Sequence, residues 1–211
     1  MINTNRILIL APHIDDGELG CGGSISKYAA EGKEIFYAAF SDCRKSLPAG
    51  LEPDVLRHEC KKATGILGIK ETHLHFFNFD VRIFPGSRQE ILDEMVKMNK
   101  IIQPDLVFTP AAHDIHQDHE VIYAESLRAF KNCSVLGYEL PWNNSSFNTQ
   151  CFIKLSDENI ESKLAALNAY SSQAHRKYFN EDFIKSLAKV RGIQSGNMFA
   201  ESFEVYRLIA G

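Results

Sequence analysis

Residues 6–23 read RILILAPHIDDGELGCGG, in which a short apolar run is followed directly by acidic residues and then by glycines. An apolar run of this length is typical of a strand buried on both faces of a parallel sheet. The glycine-rich segment 20–23 predicts a turn, and a helix follows over 24–31 until Gly32 ends it. We interpret the glycines as residues that let this helix approach the sheet closely. The order of strand, turn and helix indicates an α/β fold.

The same alternation continues along the chain and predicts a mostly parallel sheet with helices on both faces. Apolar runs predict further strands over 34–40, 72–77, 106–109, 135–138, 151–155 and 203–209. Helical spacing of apolar residues predicts helices over 53–67, 87–102, 157–170 and 181–191, the last closed by Gly192. Because no repeat, low-complexity tract or linker interrupts this pattern, we predict one domain over residues 1–211.

The composition is that of a globular enzyme rather than of a disordered, fibrous or nucleic-acid-binding protein. Apolar residues make up 45% and charged residues 24%, and the net charge of −4 gives no basic surface for nucleic acid. The apolar runs are too short to span a bilayer, and residues 1–6 lack a signal-peptide pattern. The five cysteines include no Cys-x-x-Cys pair, so we expect them to be reduced and the chain to be cytoplasmic.

The first polar cluster follows the first predicted strand. His13, Asp15, Asp16 and Glu18 bring one imidazole and three carboxylates into six positions. Neighbouring carboxylates repel one another unless a cation or hydrogen-bond donors compensate them, and a divalent metal ion is the simplest compensation. Two alternatives remain open: a solvated acidic turn whose aspartates cap the next helix, and a nucleotide cradle built from the glycines. The order G-x-G-x-x-G, which a dinucleotide cradle requires, is absent.

The second polar cluster, residues 113–120 with the sequence HDIHQDHE, follows the fourth predicted strand. His116 and His119 share a face if the backbone is helical there, whereas the direction of His113 stays open. Because parallel sheets bind ligands beyond the carboxyl ends of their strands, we expect both clusters at the same edge. Together they predict a metal site, although the spacing leaves open which carboxylate binds the ion.

These groups predict metal-assisted hydrolysis of an amide or an ester. An ion with imidazole and carboxylate ligands lowers the pKa of a bound water to roughly 7. A carboxylate left free beside it would act as general base, and a histidine on the other side would stabilise the oxyanion. A serine nucleophile is not indicated, since the chain contains no G-x-S-x-G, and nothing marks a cysteine as activated.

Two motifs in this order resemble those of the LmbE/PIG-L family of zinc-dependent N-acyl deacetylases. Residues 12–18 read PHIDDGE where the family has a Pro-His-Pro-Asp-Asp-Glu motif, and residues 116–119 read HQDH where it has His-x-Asp-His. Weaker likenesses at 170–173 and 200–204 extend the resemblance along nearly the whole chain. Ile14 and Gly17 depart from the first motif, but neither is a residue to which the resemblance gives a role in metal binding or catalysis.

The resemblance implies a zinc site and a general base within these motifs. His13, Asp16 and His119 match the three zinc ligands of the family. Asp15 matches the general base that activates the attacking water. The expected cofactor is therefore Zn²⁺, and other divalent ions such as Fe²⁺ are compatible with the same ligand types.

The resemblance also implies a partner for the transition state and a fold. His116 matches the histidine that stabilises the tetrahedral oxyanion, and Asp118 would orient His116 or keep it protonated. The family fold is Rossmann-like, with a mostly parallel central sheet flanked by helices, which agrees with the strand and helix pattern. We therefore expect a hydrolase that removes an N-acyl group, in most family members an acetyl group.

Family members act mostly on amino sugars, so the expected substrate is a small N-acylated sugar or glycoconjugate, with no nucleic acid and no membrane anchor. Trp142 lies on a polar loop and is a candidate for stacking on a sugar, although it would serve equally as an ordinary loop anchor. Arg57, Arg191 and Glu201 are further candidates for substrate contacts, with ion pairing as the alternative. The sequence leaves the oligomeric state open, including a homo-oligomer.

Two other classes of function remain as alternatives. A nucleotide-using transferase on a Rossmann-like sheet is disfavoured because both G-x-G-x-x-G and a P-loop are absent. A non-catalytic sugar-binding module is disfavoured because it would have no need of a general base. Metal analysis and an amine-release assay would separate these alternatives from the deacetylase.

Overall fold

The structure is a computed structural model that describes residues 4–47 and 50–209. In these ranges one sheet contains seven strands, which are β1 (Arg6–His13), β2 (Glu34–Ser41), β3 (Leu74–Phe76), β4 (Leu106–Pro110), β5 (Ser134–Tyr138), β6 (Cys151–Leu155) and β7 (Phe199–Arg207). Their order is β3-β2-β1-β4-β5-β7-β6. Strands β1 to β5 pair in parallel, whereas β7 is antiparallel to both of its neighbours. The predicted mostly parallel sheet is confirmed. Residues 1–3, which begin the segment without a signal-peptide pattern, lie outside the described residues.

The centre of the sheet is β1, and its continuous apolar sequence follows from that position. Ile7 and Ile9 point into one core, Leu8 and Leu10 point into the other, and all four are at most 1% exposed. Side chains alternate between the faces of a strand, so a strand covered on both faces must be apolar at every position. Burial of each such side chain stabilises the fold by about 1.5–3 kcal/mol.

Helices cover both faces of the sheet. In the described ranges they are α1 (Asp16–Ala30), α2 (Val55–Ile66), α3 (Arg88–Ile102), α4 (Gln117–Ala129), α5 (Asp157–Asn168) and α6 (Glu181–Gln194). Side chains of α1, α2, α5 and α6 share a core with Ile7 and Ile9, and those of α3 and α4 share the other core. The N-cap of α5 is Ser156, which forms a capping box with Asn159. None of the helices described has the length and apolar character of a bilayer span.

Two helix boundaries differ from the sequence prediction, and one helix, α4, is not predicted by it. The glycine-rich segment 20–23 does not form a turn before a helix, because α1 already begins at Asp16 and contains these glycines. Helix α4 begins inside the second polar cluster, where polar residues hide the helical periodicity. Gly192 does not close α6, since the helix continues to Gln194. A Cβ at position 192 would lie 2.4 Å from the Met198 carbonyl oxygen. Close packing, and not chain reversal, requires this glycine.

Gly20→Ala is expected to destabilise the protein by about 1–3 kcal/mol, the usual effect of overpacking. A Cβ at position 20 would lie 2.3 Å from Cδ2 and 2.7 Å from Cγ of Tyr138, which is fully buried and cannot swing away. Gly65→Ala is the matched control, because nothing lies within 4 Å of a Cβ there and the residue is in α2. The control should stabilise by about 0.5–1 kcal/mol. Urea unfolding measures both, and equal effects at the two positions would contradict the close approach of α1.

Candidate metal centre

The two polar clusters meet at the ends of β1 and β4, where the chain continues to opposite faces of the sheet. β1 ends at His13 and its parallel neighbour β4 ends at Pro110. The helix after β1, α1, packs on one face of the sheet, and the helix after β4, α4, packs on the other. The loops after these strands therefore separate and leave a crevice, which is where open α/β sheets bind their ligands.

Three side-chain atoms from the two clusters converge in this crevice, and we call them the ligand triangle. Nδ1 of His13 lies 3.1 Å from Nε2 of His119, and Oδ2 of Asp16 lies 3.2 Å from each of these nitrogens. A tetrahedral zinc ion bound at about 2.0–2.1 Å separates neighbouring ligand atoms by about 3.3 Å. The triangle therefore has the spacing of a tetrahedral metal site.

Each histidine of the ligand triangle has its other ring nitrogen on a carboxylate. Nε2 of His13 lies 2.9 Å from Oδ2 of Asp118, and Nδ1 of His119 lies 2.7 Å from Oδ2 of Asp114. A neutral histidine that donates to a carboxylate presents an unprotonated nitrogen on its opposite side, and this pairing is typical of metal-binding histidines. Two such nitrogens repel at 3.1 Å unless a cation lies between them. The donor set therefore fits a divalent ion.

The charges around the ligand triangle also favour a cation. Burial alone would lower the pKa of His119, but Asp16 and Asp114 outweigh it and raise that pKa to about 10. Burial opposes ionisation of Asp16 as well, yet His119 and His13 hold the pKa of this carboxyl below its ordinary value. The carboxylates therefore require a positive partner, either a proton on His119 or a metal ion in its place.

His116 offers an alternative third ligand. One ligand atom from each of His13, His116 and His119 lies within 4.8 Å of the other two, a wider group than the triangle with Asp16. Nδ1 of His116 accepts a hydrogen bond of 3.2 Å from the backbone N–H of Asp118, so the neutral ring carries its proton on Nε2. Burial, and then His119, lower the pKa of His116 to about 4. This ring is therefore a neutral hydrogen-bond donor.

The structure corrects the expected role of Asp118. Its Oδ2 lies 4.0 Å from Nδ1 of His116 but 2.9 Å from Nε2 of His13. The backbone N–H groups of Arg82 and Phe84 donate to the same carboxylate at 2.6 and 3.2 Å. Asp118 therefore orients His13 and does not hold His116 protonated. The reason is geometric, because side chains two residues apart at the start of a helix do not face each other.

Asp15 lies next to the ligand triangle, is only 9% exposed and borders the adjoining cavity. Burial, and then the charge of Asp16, raise the pKa of Asp15 well above its ordinary value. Its backbone is left-handed, with φ of 96°. Four non-glycine residues in the described part of the chain have a positive φ, and three of them, Asp15, Cys43 and Arg82, line the cavity. Backbone strain is thus concentrated at this site, as it is at many functional sites.

The cavity beside the ligand triangle has a volume of about 310 Å³, at the lower end of the range for small-molecule sites. Most of its walls come from connecting segments, at residues 43–47, 81–82, 142–143 and 173–178. Trp142 and Tyr178 are stacked in one wall, with ring centroids 4.1 Å apart and planes 6° from parallel. The cavity therefore lies between the ligand triangle and an aromatic wall.

One of the candidate substrate contacts lies at this cavity, and a second does not. Trp142 lines it, although Tyr178 already covers one face of the indole. Arg57 does not line it, which corrects the expectation of substrate contact. Its Nε lies 3.2 Å from Oδ2 of Asp42 and its guanidinium lies over the ring of Phe76, so Arg57 serves the ion-pair alternative.

Arg191 and Glu201 were also expected at the substrate, and the structure corrects both. Neither lines the cavity beside the ligand triangle. Nε of Arg191 donates to Glu139 at 2.9 Å. Glu201 is 6% exposed and lies 2.7 Å from Nζ of Lys163. Half-buried Arg191 and buried Glu201 are therefore each held in an ion pair, and both line a separate, smaller cavity together with Leu19 and Gly20 of α1.

The sequence prediction missed several residues of the site. Asp114 belongs to the HDIHQDHE segment, so its carboxylate was visible as a candidate partner of His119. Arg82, Arg176 and Tyr178 line the cavity from loops that carry no motif. No periodicity or spacing marks such residues, because only the folded course of the loops brings them to the site.

Comparisons with known proteins identify related sequences. The family model described as PIG-L: GlcNAc-PI de-N-acetylase matches residues 8–130, a range that contains both polar clusters. A relative from Escherichia coli K12, described as the uncharacterized deacetylase YaiS, is 34% identical over 172 residues, which make up 79% of this chain and 90% of that protein.

Solved structures with the same fold include enzymes of different chemistry. N,N'-diacetylchitobiose deacetylase from Pyrococcus horikoshii matches with a TM-score of 0.79 and 22% identity, over 96% of this chain and 84% of that one. The 4-carboxy-2-hydroxymuconate hydratase GalB from Pseudomonas putida KT2440 matches with a TM-score of 0.76 and 17% identity, over 98% of both chains. At these identities the likeness shows the fold alone, so function must be argued from the site.

Proposed function

The chain belongs to the PIG-L family of deacetylases, and from this premise we propose that it is a zinc-dependent hydrolase that removes an N-acetyl group from an amino sugar or a small glycoconjugate. One observation carries the proposal. Two carboxylate-paired histidines turn their free nitrogens toward each other at 3.1 Å, and a third carboxylate lies 3.2 Å from both. A solvated acidic turn has no reason to bury such an arrangement.

His13, Asp16 and His119 would hold the ion, with Asp118 and Asp114 orienting the two imidazoles. Zinc bound there would polarise the acyl carbonyl and lower the pKa of a water molecule to about 7, and Fe²⁺ suits the same ligands. We assign the third position to Asp16 rather than to His116, because the Asp16 oxygen completes the tighter triangle.

Asp15 and His116 would carry out the proton and hydrogen-bond steps. Asp15 takes a proton from the water while the oxygen of that water attacks the carbonyl carbon. His116 donates its Nε2–H to the oxyanion. Asp15 then returns the proton to the amide nitrogen as the C–N bond breaks, which gives acetic acid and a free amine, and the acid ionises to acetate on release. The position of Asp15 suits this role, because it adjoins the ligand triangle and borders the cavity where the acyl group would lie.

The substrate would bind between the ligand triangle and the stacked pair of Trp142 and Tyr178. The pair offers an apolar edge for the C–H face of a sugar ring. Arg176, whose guanidinium donates to Gln173 at 2.5 Å and to the Tyr178 hydroxyl at 2.6 Å, is held at the same wall and could donate to sugar hydroxyls. A small N-acetylated sugar fits both the volume and this combination of groups.

The nucleotide-using alternative has less support. Gly20 and Gly23 pack against Tyr138 and Leu155, where a Cβ would lie at 2.3 and 2.5 Å. Their backbone is therefore covered by side chains and is not open to a phosphate group. The non-catalytic binding module has no use for a buried, strained aspartate beside the metal-binding residues.

The proposal predicts that a chelator abolishes amine release and that added Zn²⁺ or Fe²⁺ restores it. The measurement is amine release from a panel of N-acetylated amino sugars and their glycosides, together with metal analysis of the purified protein. Sugars that lack an N-acyl group serve as negative controls, and a nucleotide thermal-shift assay tests the transferase. Full turnover after metal removal, or metal-loaded protein that releases no amine from any member of the panel, would contradict the proposal.

A further inference from the structure

Helix α1 is bent at Cys21, whose φ of −144° and ψ of 24° are not helical. The segment before the bend, Asp16 to Gly20, follows Asp15 directly and carries Asp16, so its position sets where both aspartates lie in the ligand triangle and beside it. The bend interrupts the regular backbone pairing of the helix, and its polar groups need other partners.

A buried ion pair supplies those partners. In a continuous helix the N–H of Gly23 would donate to the carbonyl of Leu19. Here the Gly23 N–H donates to Oε1 of Glu201 at 3.0 Å, and the Leu19 carbonyl accepts from Nζ of Lys163 at 2.7 Å. The N–H and the hydroxyl of Ser24 donate to Oε2 of Glu201 at 2.7 and 2.6 Å. Lys163 and Glu201 thus bond backbone groups on both sides of the bend.

The pair comes from two other elements and is closed to solvent. Lys163 lies on α5 and Glu201 on β7, with 5% and 6% exposure and 2.7 Å between Nζ and Oε1. The glycines of α1 make room for it, because a Cβ at Gly22 would lie 3.0 Å from Cγ of Lys163 and one at Gly23 would lie 3.1 Å from Oε1 of Glu201. A buried ion pair is weak evidence for added stability. Its contacts with the bend point to a different role.

We propose that Lys163 and Glu201 are positioning residues, which fix the bend of α1 and so place Asp15 and Asp16 against His13 and His119. The inference rests on the proposed metal-dependent function. Five residues at a rise of 1.5 Å make a lever of about 7.5 Å, so a change of about 20° in the bend moves its end by about 2.5 Å. This displacement exceeds a metal–ligand bond of about 2.0–2.2 Å, so an unfixed bend would remove Asp16 from the triangle.

Glu201→Gln tests the proposal, with Glu139→Gln as the matched control. Glu139 is 8% exposed and pairs with Arg191, and its side chain bonds Arg191 and Ser202 and no residue of α1 among the residues described. Glu201→Gln should lower Zn²⁺ affinity by about tenfold or more, as loss of support for a metal ligand does. It should lower kcat and leave KM unchanged, because neither Lys163 nor Glu201 lines the cavity. Glu139→Gln should change neither quantity.

Chelator competition measures the Zn²⁺ affinity. Hydrogen exchange measures the protection of the backbone amides of α1, and those of Gly23 and Ser24 should lose protection only in Glu201→Gln. Zn²⁺ binding as tight as in the unchanged protein, or an equal loss in Glu139→Gln, would overturn the proposal. If Glu201→Gln does not fold, Ser24→Ala removes one hydrogen bond to Glu201 and should weaken Zn²⁺ binding by about 2- to 10-fold. Unchanged affinity and exchange in Ser24→Ala would also overturn it.

The outcomes separate this proposal from the proposed function. If the unchanged protein bound no Zn²⁺ and released no amine, the proposed function would fail. Hydrogen exchange in Glu201→Gln and Glu139→Gln would still decide whether the pair fixes the bend. If the unchanged protein is active and Glu201→Gln differs from it in neither affinity nor exchange, only the positioning role fails.

Discussion

Asp15→Asn should lower kcat by about 10²- to 10⁴-fold, the usual contribution of a general base, while the protein keeps its metal. Asn preserves the shape of the side chain but cannot accept the proton from water. The backbone should not change, because asparagine tolerates the left-handed conformation that Asp15 adopts with φ of 96°. Metal content should be retained because Asp15 is outside the ligand triangle. The measurements are steady-state amine release and metal analysis of the same preparation.

Asp80→Asn is the control for this prediction. Asp80 forms an exposed ion pair of 2.6 Å with Lys45 and does not line the cavity. Such pairs contribute little, so the control should change kcat by no more than about twofold. An Asp15→Asn protein with full metal content and more than a tenth of the original kcat would remove Asp15 from the role of general base.

His119→Gln should weaken Zn²⁺ binding by at least about 100-fold, since loss of a mere supporting partner already weakens metal sites by about 10- to 100-fold. His119 is 1% exposed and lies between Asp114 and Asp16. Glutamine offers a weaker donor atom and leaves both carboxylates without their positive partner. Chelator competition measures the affinity, and amine release should fall with the metal content.

Two further histidines make this prediction specific. His113 belongs to the same segment but is exposed and does not line the cavity, so His113→Gln should bind Zn²⁺ normally. His116→Gln should keep its affinity within about threefold if Asp16 is the third ligand, while Asp16→Asn should lose at least about 100-fold. The reverse result would assign the third position to His116, and unchanged binding in His119→Gln would exclude the site itself.

The sequence predicts the centre of this fold well, because β1, β2, β4 and β5 are short, mostly apolar runs that only a sheet covered on both faces can bury. It predicts the first turn of α1 poorly. Acidic residues and glycines in segment 16–23 look like a loop, and they are helical only because Tyr138, Lys163 and Glu201 accept the glycine surface of the helix. Such tertiary partners lie more than a hundred residues away along the chain.

The candidate site also has a part that the sequence predicts and a part that it does not. The proposed metal ligands are visible because their residue types are unusual and follow strand ends directly. Asp118 pairs with His13 and not, as was expected of it, with His116, because the helix start decides which side chains face each other. Arg57, Arg191 and Glu201 were not predictable in the same way, since a charged residue can form an ion pair within the protein as readily as it can contact a substrate.

The cavity walls come mostly from four connecting segments, whereas the residues of the ligand triangle lie at the ends of two central strands and in the helices after them. Insertions, deletions and substitutions in surface loops are tolerated far better than changes in the core. Changes in these loops can therefore alter the substrate preference while the ligand triangle and Asp15 stay the same. The corresponding engineering route is to graft onto this fold the loops of a relative that acts on a different substrate.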